Sequence, residues 1–335
     1  MLGTLLSFAA AAFFGLNATT VRRGVLTGSV LQGITVSLGL GLPIFIIASI
    51  FAGSFSKIFA FSTEGYFLLI TGGAIHFAFA RYCNYRAMKA MGGLMVRPFQ
   101  QSSVIVSLVL AMFLLGETLT PLRLFGIILV LLGPLIMIRD RKKFSRKMKQ
   151  KNEEGSPSRI EFVPNYTEGI IFGIGSAFGL GASPVFTRAV IGNMDLTTGI
   201  AAGAISYGSG ALIILLIMTK PSRIRDVLSM SRTSFNWFSL SALFITLSLS
   251  QILRFMALAV APVTVVSPIQ QTTAIFQVIF TRFINPDHEA MGKWVLLGIL
   301  SSFIGAIALS VSTEFVLAHV DLPDAIVKFA GWRWP

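Results

Sequence analysis

Arg81 and Arg254 stand inside long apolar stretches of the chain. A guanidinium there does one kind of chemistry well: it holds an anion through paired, charge-assisted hydrogen bonds. Each has amide companions. Asn84 follows Arg81 by three residues and so shares its face on a helix, and Gln100 and Gln101 fall at similar depth on the next apolar run. In the second half Gln251 precedes Arg254 by three, and Gln270 and Gln271 follow on the next run. Asn17 and His76 are further polar groups within apolar runs. His76 has the chemistry of a proton carrier, although a lone histidine in such a run is also a common hydrogen-bonded packing residue. The arginines and amides have two readings as well: they line a substrate pathway with a polar cluster on either side of the midplane, or they bond one another across helices. Near run ends Arg86, Arg97 and Arg188 are placed to snorkel to the interface.

All 14 Asp and Glu residues fall at the ends of apolar runs or between them. No buried carboxylate is therefore expected to bind a lipophilic cation or exchange it for a proton. The buried charges are cationic, which favours a substrate with a carboxylate or phosphate, or a zwitterion. His76, His288 and His319 have no metal-ligand spacing, no phosphate-cradling Walker pattern occurs, and Cys83 is alone. Gly173, Gly175 and Gly179 lie inside an apolar run with no preceding strand, so they read as close helix packing. No cofactor, metal or catalytic set is expected.

The elements that must hold these groups follow from composition. With 54% of residues hydrophobic, 12% charged and a mean hydropathy of +0.78, the chain is solvated by lipid. A membrane helix needs about 20 apolar residues. Such runs span 2–20, 29–52, 66–86, 94–115 and 121–138 in the first half, and 168–191, 198–219, 235–260, 262–283 and 291–312 in the second. They predict an all-α integral membrane protein of ten transmembrane helices. Residues 139–166 form a basic linker containing RKKFSRKMKQK, and residues 313–335 an interfacial tail. The first run lacks the basic leader of a signal peptide, and its equivalent recurs mid-chain.

The net charge of +13 is a topology signal and points to no nucleic acid. Of the 27 Lys and Arg residues, 19 follow odd-numbered helices and four lie on the other side, which puts the linker in the cytoplasm and both termini outside.

The chain also repeats itself. RPFQQSS recurs 170 residues later as SPIQQTT, carrying Pro98, Gln100 and Gln101 onto Pro268, Gln270 and Gln271. The same offset carries Arg81 onto Gln251 and Asn84 onto Arg254, while Arg23 and Arg188 end the first helix of each half. Five helices per copy is an odd number, so the second copy, residues 167–312, enters from the side opposite the first, residues 1–138. Two inverted five-helix repeats are the plan of many secondary transporters.

The pieces ARYCNYRAMKAMGG, RPFQQS and GETLTPLRLFGIILVLLG, in that order and followed by a second copy, resemble the EamA-type permeases of the drug/metabolite transporter superfamily. The resemblance implies a ten-helix permease with a central cavity, commonly an exporter; Glu117, in GET, reads as a cap or loop-pairing residue at its helix end, with a gate role as the alternative that the resemblance offers. It departs at Asn285 to Glu289, NPDHE, where the family often has Gly-Glu, and the family more commonly has cytoplasmic termini. The expected protein is a multi-pass transporter of the bacterial inner membrane, with a small-molecule substrate and the bilayer as partners. The other class is a membrane-embedded lipid-modifying enzyme or structural partner subunit. Nothing in the sequence fixes the oligomeric state.

Overall fold

The computed structural model describes residues 2–116, 120–136 apart from 123, 130, 131 and 134, 164–243, 250–286, 292–310, 323 and 332. The basic linker, nearly all of the tail, Glu117 and residues 287–289 lie outside them.

Every element among the described residues is helical. The first half contains α1 (Leu2–Thr27), α2 (Val30–Phe51), α3 (Thr63–Gly73), a π-helical stretch (Ala74–Ala80), α4 (Arg81–Met91) and α5 (Gly93–Leu115). The second contains α6 (Tyr166–Ile191), α7 (Leu196–Ile217), α8 (Pro221–Leu228), α9 (Arg232–Ala242), α10 (Ser250–Val260), α11 (Val263–Gln270), α12 (Thr273–Ile284) and α13 (Lys293–Ser310). Helices α1, α2, α5, α6 and α7 are each long and apolar enough to cross a bilayer. The chain is a multi-pass membrane protein, all-helical among the described residues.

Starts and breaks follow from local chemistry. Ser29, Ser62, Asn165, Asp195 and Ser231 accept from the backbone N–H three residues on, capping α2, α3, α6, α7 and α9. Only Gly92 separates α4 from α5, at φ 98°, a conformation that side chains with a Cβ rarely adopt. The apolar run expected over 262–283 is broken between Gln270 and Thr273, and α8 is a short surface helix within what sequence left as a basic loop.

The two halves interlock. Helix α1 packs on α9, α10 and α12, whereas α6 packs on α3, the π-helical stretch, α4 and α5. Close approach depends on glycines, and these come in matched pairs. A Cβ added at Gly3 would lie 2.5 Å from Ala261 Cβ, and one at Gly169 would lie 2.5 Å from Met91 Cγ. One at Gly15 would meet Phe276 Cβ at 2.6 Å, and one at Gly181 would meet Val106 Cβ at 2.7 Å. The glycines are 166 residues apart and their partners 170. Gly173, Gly175 and Gly179 also lie in α6, facing Phe99, Cys83 and Ala80, which is helix packing.

Candidate functional site

Where α1, α4, α5, α6, α10, α11 and the π-helical stretch converge lies a cavity of about 140 Å³. Asn17, His76, Arg81, Asn84, Gln100, Gln251, Arg254, Gln270 and Gln271 all line it, so groups expected as two clusters share a single chamber. Gln101 does not. One residue along a helix is a 100° turn, and that turn carries Gln101 away from the chamber into the packing, where its amide has no hydrogen-bond partner among the described residues.

His76 and Arg81 reach the chamber together because of the π-helical stretch. Five residues apart on a regular helix they would differ by about 140°, but the i→i+5 spacing of π turns stacks such residues on one face. Arg81 then donates to Ser37 Oγ and, at 3.3 Å, to Tyr207 OH of the other half. Its guanidinium carbon sits 4.8 Å from the centre of the Phe77 ring and 5.5 Å from that of Tyr207. Phe45, Phe77, Tyr207 and Phe255 form one buried ring cluster, with Phe77 and Tyr207 centroids 4.0 Å apart. Arg254 stands 5.6 Å from the Phe255 ring.

Arg254 donates to Gln251 Oε1 at 3.2 Å and to Ser183 Oγ at 3.4 Å, and its Nη1 lies 3.5 Å from His76 Nε2. Gln251 Nε2 approaches the same imidazole nitrogen at 3.4 Å. A guanidinium only donates, so Nε2 is the acceptor in its contact with Arg254. Gln100 donates to Asn84 Oδ1, Ser241 to Asn17 Oδ1 at 2.6 Å, and Gln271 to the Ser267 carbonyl at 3.4 Å. Gln100 Oε1 and Gln270 Nε2 are buried without partners among the described residues.

Sequence reasoning missed Arg97 and several small polar lining groups, Ser267 among them. Arg97, expected to snorkel, is 8% exposed, lines the chamber and donates to Gln277 of the other half. The turn at Gly92 folds the start of α5 inward, and the signal was its repeat position: Ser267, 170 residues on, lines the same chamber. Arg188 also does not snorkel; it donates to the carbonyls of Leu258 at 2.8 Å and Ala259 at 2.9 Å. Its counterpart by contact is Arg22, which donates to the Met88 carbonyl, and not Arg23. Tyr85 lines the chamber, whereas Tyr82 is exposed and packs on Phe172. Arg86 pairs with Glu168 at the edge.

No described lining residue is acidic, and three are arginines. Among the described residues no group of His, Cys, Asp or Glu is arranged to hold a metal.

A helical membrane bundle with a polar chamber built by both halves is the class this geometry defines. Residues 1–139 match the model of the EamA-like transporter family. Twenty-one solved chains match this one. One, titled only as the crystal structure of a protein, superposes with a TM-score of 0.57 at 17% identity, over 91% of this chain and 95% of its own. The sequence matches no curated protein.

Proposed function

We propose that the chain is a secondary transporter that moves a small anionic, zwitterionic or otherwise polar metabolite by alternating access, in the direction of export. The observation that carries this reading is the chamber itself: three buried arginines from both halves, with no acidic side chain among the described lining residues. Each ion costs about 2.5–3.5 kcal/mol to place at bilayer depth, so three uncompensated cations stand as a site for a counter-charge brought by substrate. Arg81, Arg97 and Arg254 take the carboxylate or phosphate. Asn17, Asn84, Gln100, Gln251, Gln270 and Gln271 bond the polar remainder, and His76 holds Arg254 and Gln251 in place.

The matched contacts of α1 and α6 support two inverted five-helix repeats, residues 1–138 and 167–312, joined by the linker 139–166 and followed by the tail 313–335. The charge bias supports a cytoplasmic linker in a bacterial inner membrane.

The test is counterflow in proteoliposomes with a panel of carboxylates, phosphates, amino acids and lipophilic cations. An anion or zwitterion is expected to exchange, and Arg81→Ala and Arg254→Ala to drop exchange to the level of empty vesicles. Exchange of lipophilic cations alone, or full activity in both variants, would overturn the reading.

A further inference from the structure

On the lipid-facing side, away from the chamber, α2, the π-helical stretch, the start of α4 and the end of α7 line an apolar groove of about 630 Å³. Its walls are Leu31, Ile34, Ile75, Phe79, Ile213 and Ile217. At one end stand Lys220 and Arg223, where α7 stops and α8 begins. Both are exposed, and neither side chain has a hydrogen-bond or ion-pair partner among the described residues. The acid on α8 does not neutralise them. Asp226 accepts from Ser29 Oγ at 2.7 Å, and its carbonyl accepts from Gln32 at 2.6 Å, so it ties α8 to the start of α2 instead.

We infer that this groove is a binding site for one anionic phospholipid, its acyl chains along the groove and its phosphate on Lys220 and Arg223. The dimensions suit one leaflet. Ala74 to Tyr82 covers about 12 Å at 1.5 Å per residue, against roughly 15 Å for half the hydrocarbon core. The chemistry selects the headgroup: two uncompensated cations at the water-facing end of an apolar slot favour a net negative lipid over a zwitterionic one. The site lies outside the chamber and does not depend on what the chamber carries.

Delipidated protein in detergent, titrated with phosphatidylglycerol, phosphatidylcholine or glycerol 3-phosphate and read by native mass spectrometry, tests this. Phosphatidylglycerol is expected to bind most tightly. Lys220→Gln and Arg223→Gln each weaken it about fivefold and together about 30-fold. Arg225→Gln, on α8 but outside the groove, leaves it unchanged, and Ala78→Phe, which fills the groove without altering charge, weakens it. Equal binding of the two lipids, or tight binding by the double variant, sinks the inference. So does indifference to Ala78→Phe, or glycerol 3-phosphate binding as well as the lipid.

Discussion

Nη1 of Arg22 donates to the main-chain carbonyl of Met88 across 2.7 Å, closing the end of α4 with a guanidinium from α1. Arg188 does the same for α10 at Leu258, which lies 170 residues after Met88. The Met88 carbonyl also accepts from Gly92 N–H, so Arg22 is its second donor, whereas Pro262 has no N–H to give Leu258, and at both places a cation opposes the negative end of the helix dipole. Arg22→Ala and Arg188→Ala should each lower unfolding free energy by about 1.5–3 kcal/mol. With no shared partner, the double variant should sum to within about 0.5 kcal/mol. Denaturation in mixed micelles measures it, and a variant as stable as the parent would refute the role.

Gln100 and Gln101 are adjacent but face different surroundings. Gln100→Met removes a chamber group bonded to Asn84 and should slow exchange about tenfold, the equivalent of one hydrogen bond of about 1.4 kcal/mol. Gln101→Met, outside the chamber, should leave exchange within about twofold. The reverse order in proteoliposome rates would mean that the chamber is drawn on the wrong face of α5.

Gly73 and Gly39 make a paired test of packing. A Cβ at Gly73 would sit 2.4 Å from the Ser206 carbonyl oxygen and 2.6 Å from its Cα, main-chain atoms that cannot step aside. Gly39 in α2 has nothing within 4 Å. Gly73→Ala should destabilise by about 1–3 kcal/mol. Gly39→Ala should be neutral or stabilise by up to about 1 kcal/mol, through helix propensity. Thermal midpoints compared side by side decide it, and equal shifts would count against the α3–α7 contact.

At the loop before α7, Lys57 and Thr198 hold the Asp195 carboxyl below the usual carboxylate range. A lowered folded pKa stabilises fully above about pH 4, the unfolded value, and that stability is lost as pH falls through the folded pKa. Asp195→Ala should cost about 1 kcal/mol at neutral pH, through the lost cap. Asp195→Asn keeps a capping oxygen but no charge. The gap in thermal midpoint between it and the parent should therefore shrink as pH drops below 4. A gap that stays constant with pH would show that ionisation contributes nothing.

What the sequence reveals is periodic or compositional. Apolar runs locate α1, α2, α5, α6 and α7, and the recurrence of Pro, Gln and Gln aligns α5 with α11. What it hides depends on breaks in periodicity. A regular helix through 66–86 would put His76 and Arg81 on different faces, and only the π turns bring them together. Arg97 looks interfacial because it begins a run, yet the single-residue turn at Gly92 tucks that beginning inside. Tyr207 and Gln277 are further from their arginines along the chain than any local pattern reaches.

That separation has a cost in time. Arg81 is synthesised 126 residues ahead of Tyr207, and Arg97 180 residues ahead of Gln277. At about 5–20 residues per second, each guanidinium waits roughly 6–36 s for its partner to be made. Throughout that interval the nascent first half must keep two charges out of hydrocarbon by some other route, in the insertion machinery or at the headgroup layer. The chamber that gives the finished protein its chemistry thus sets its most exposed moment during assembly.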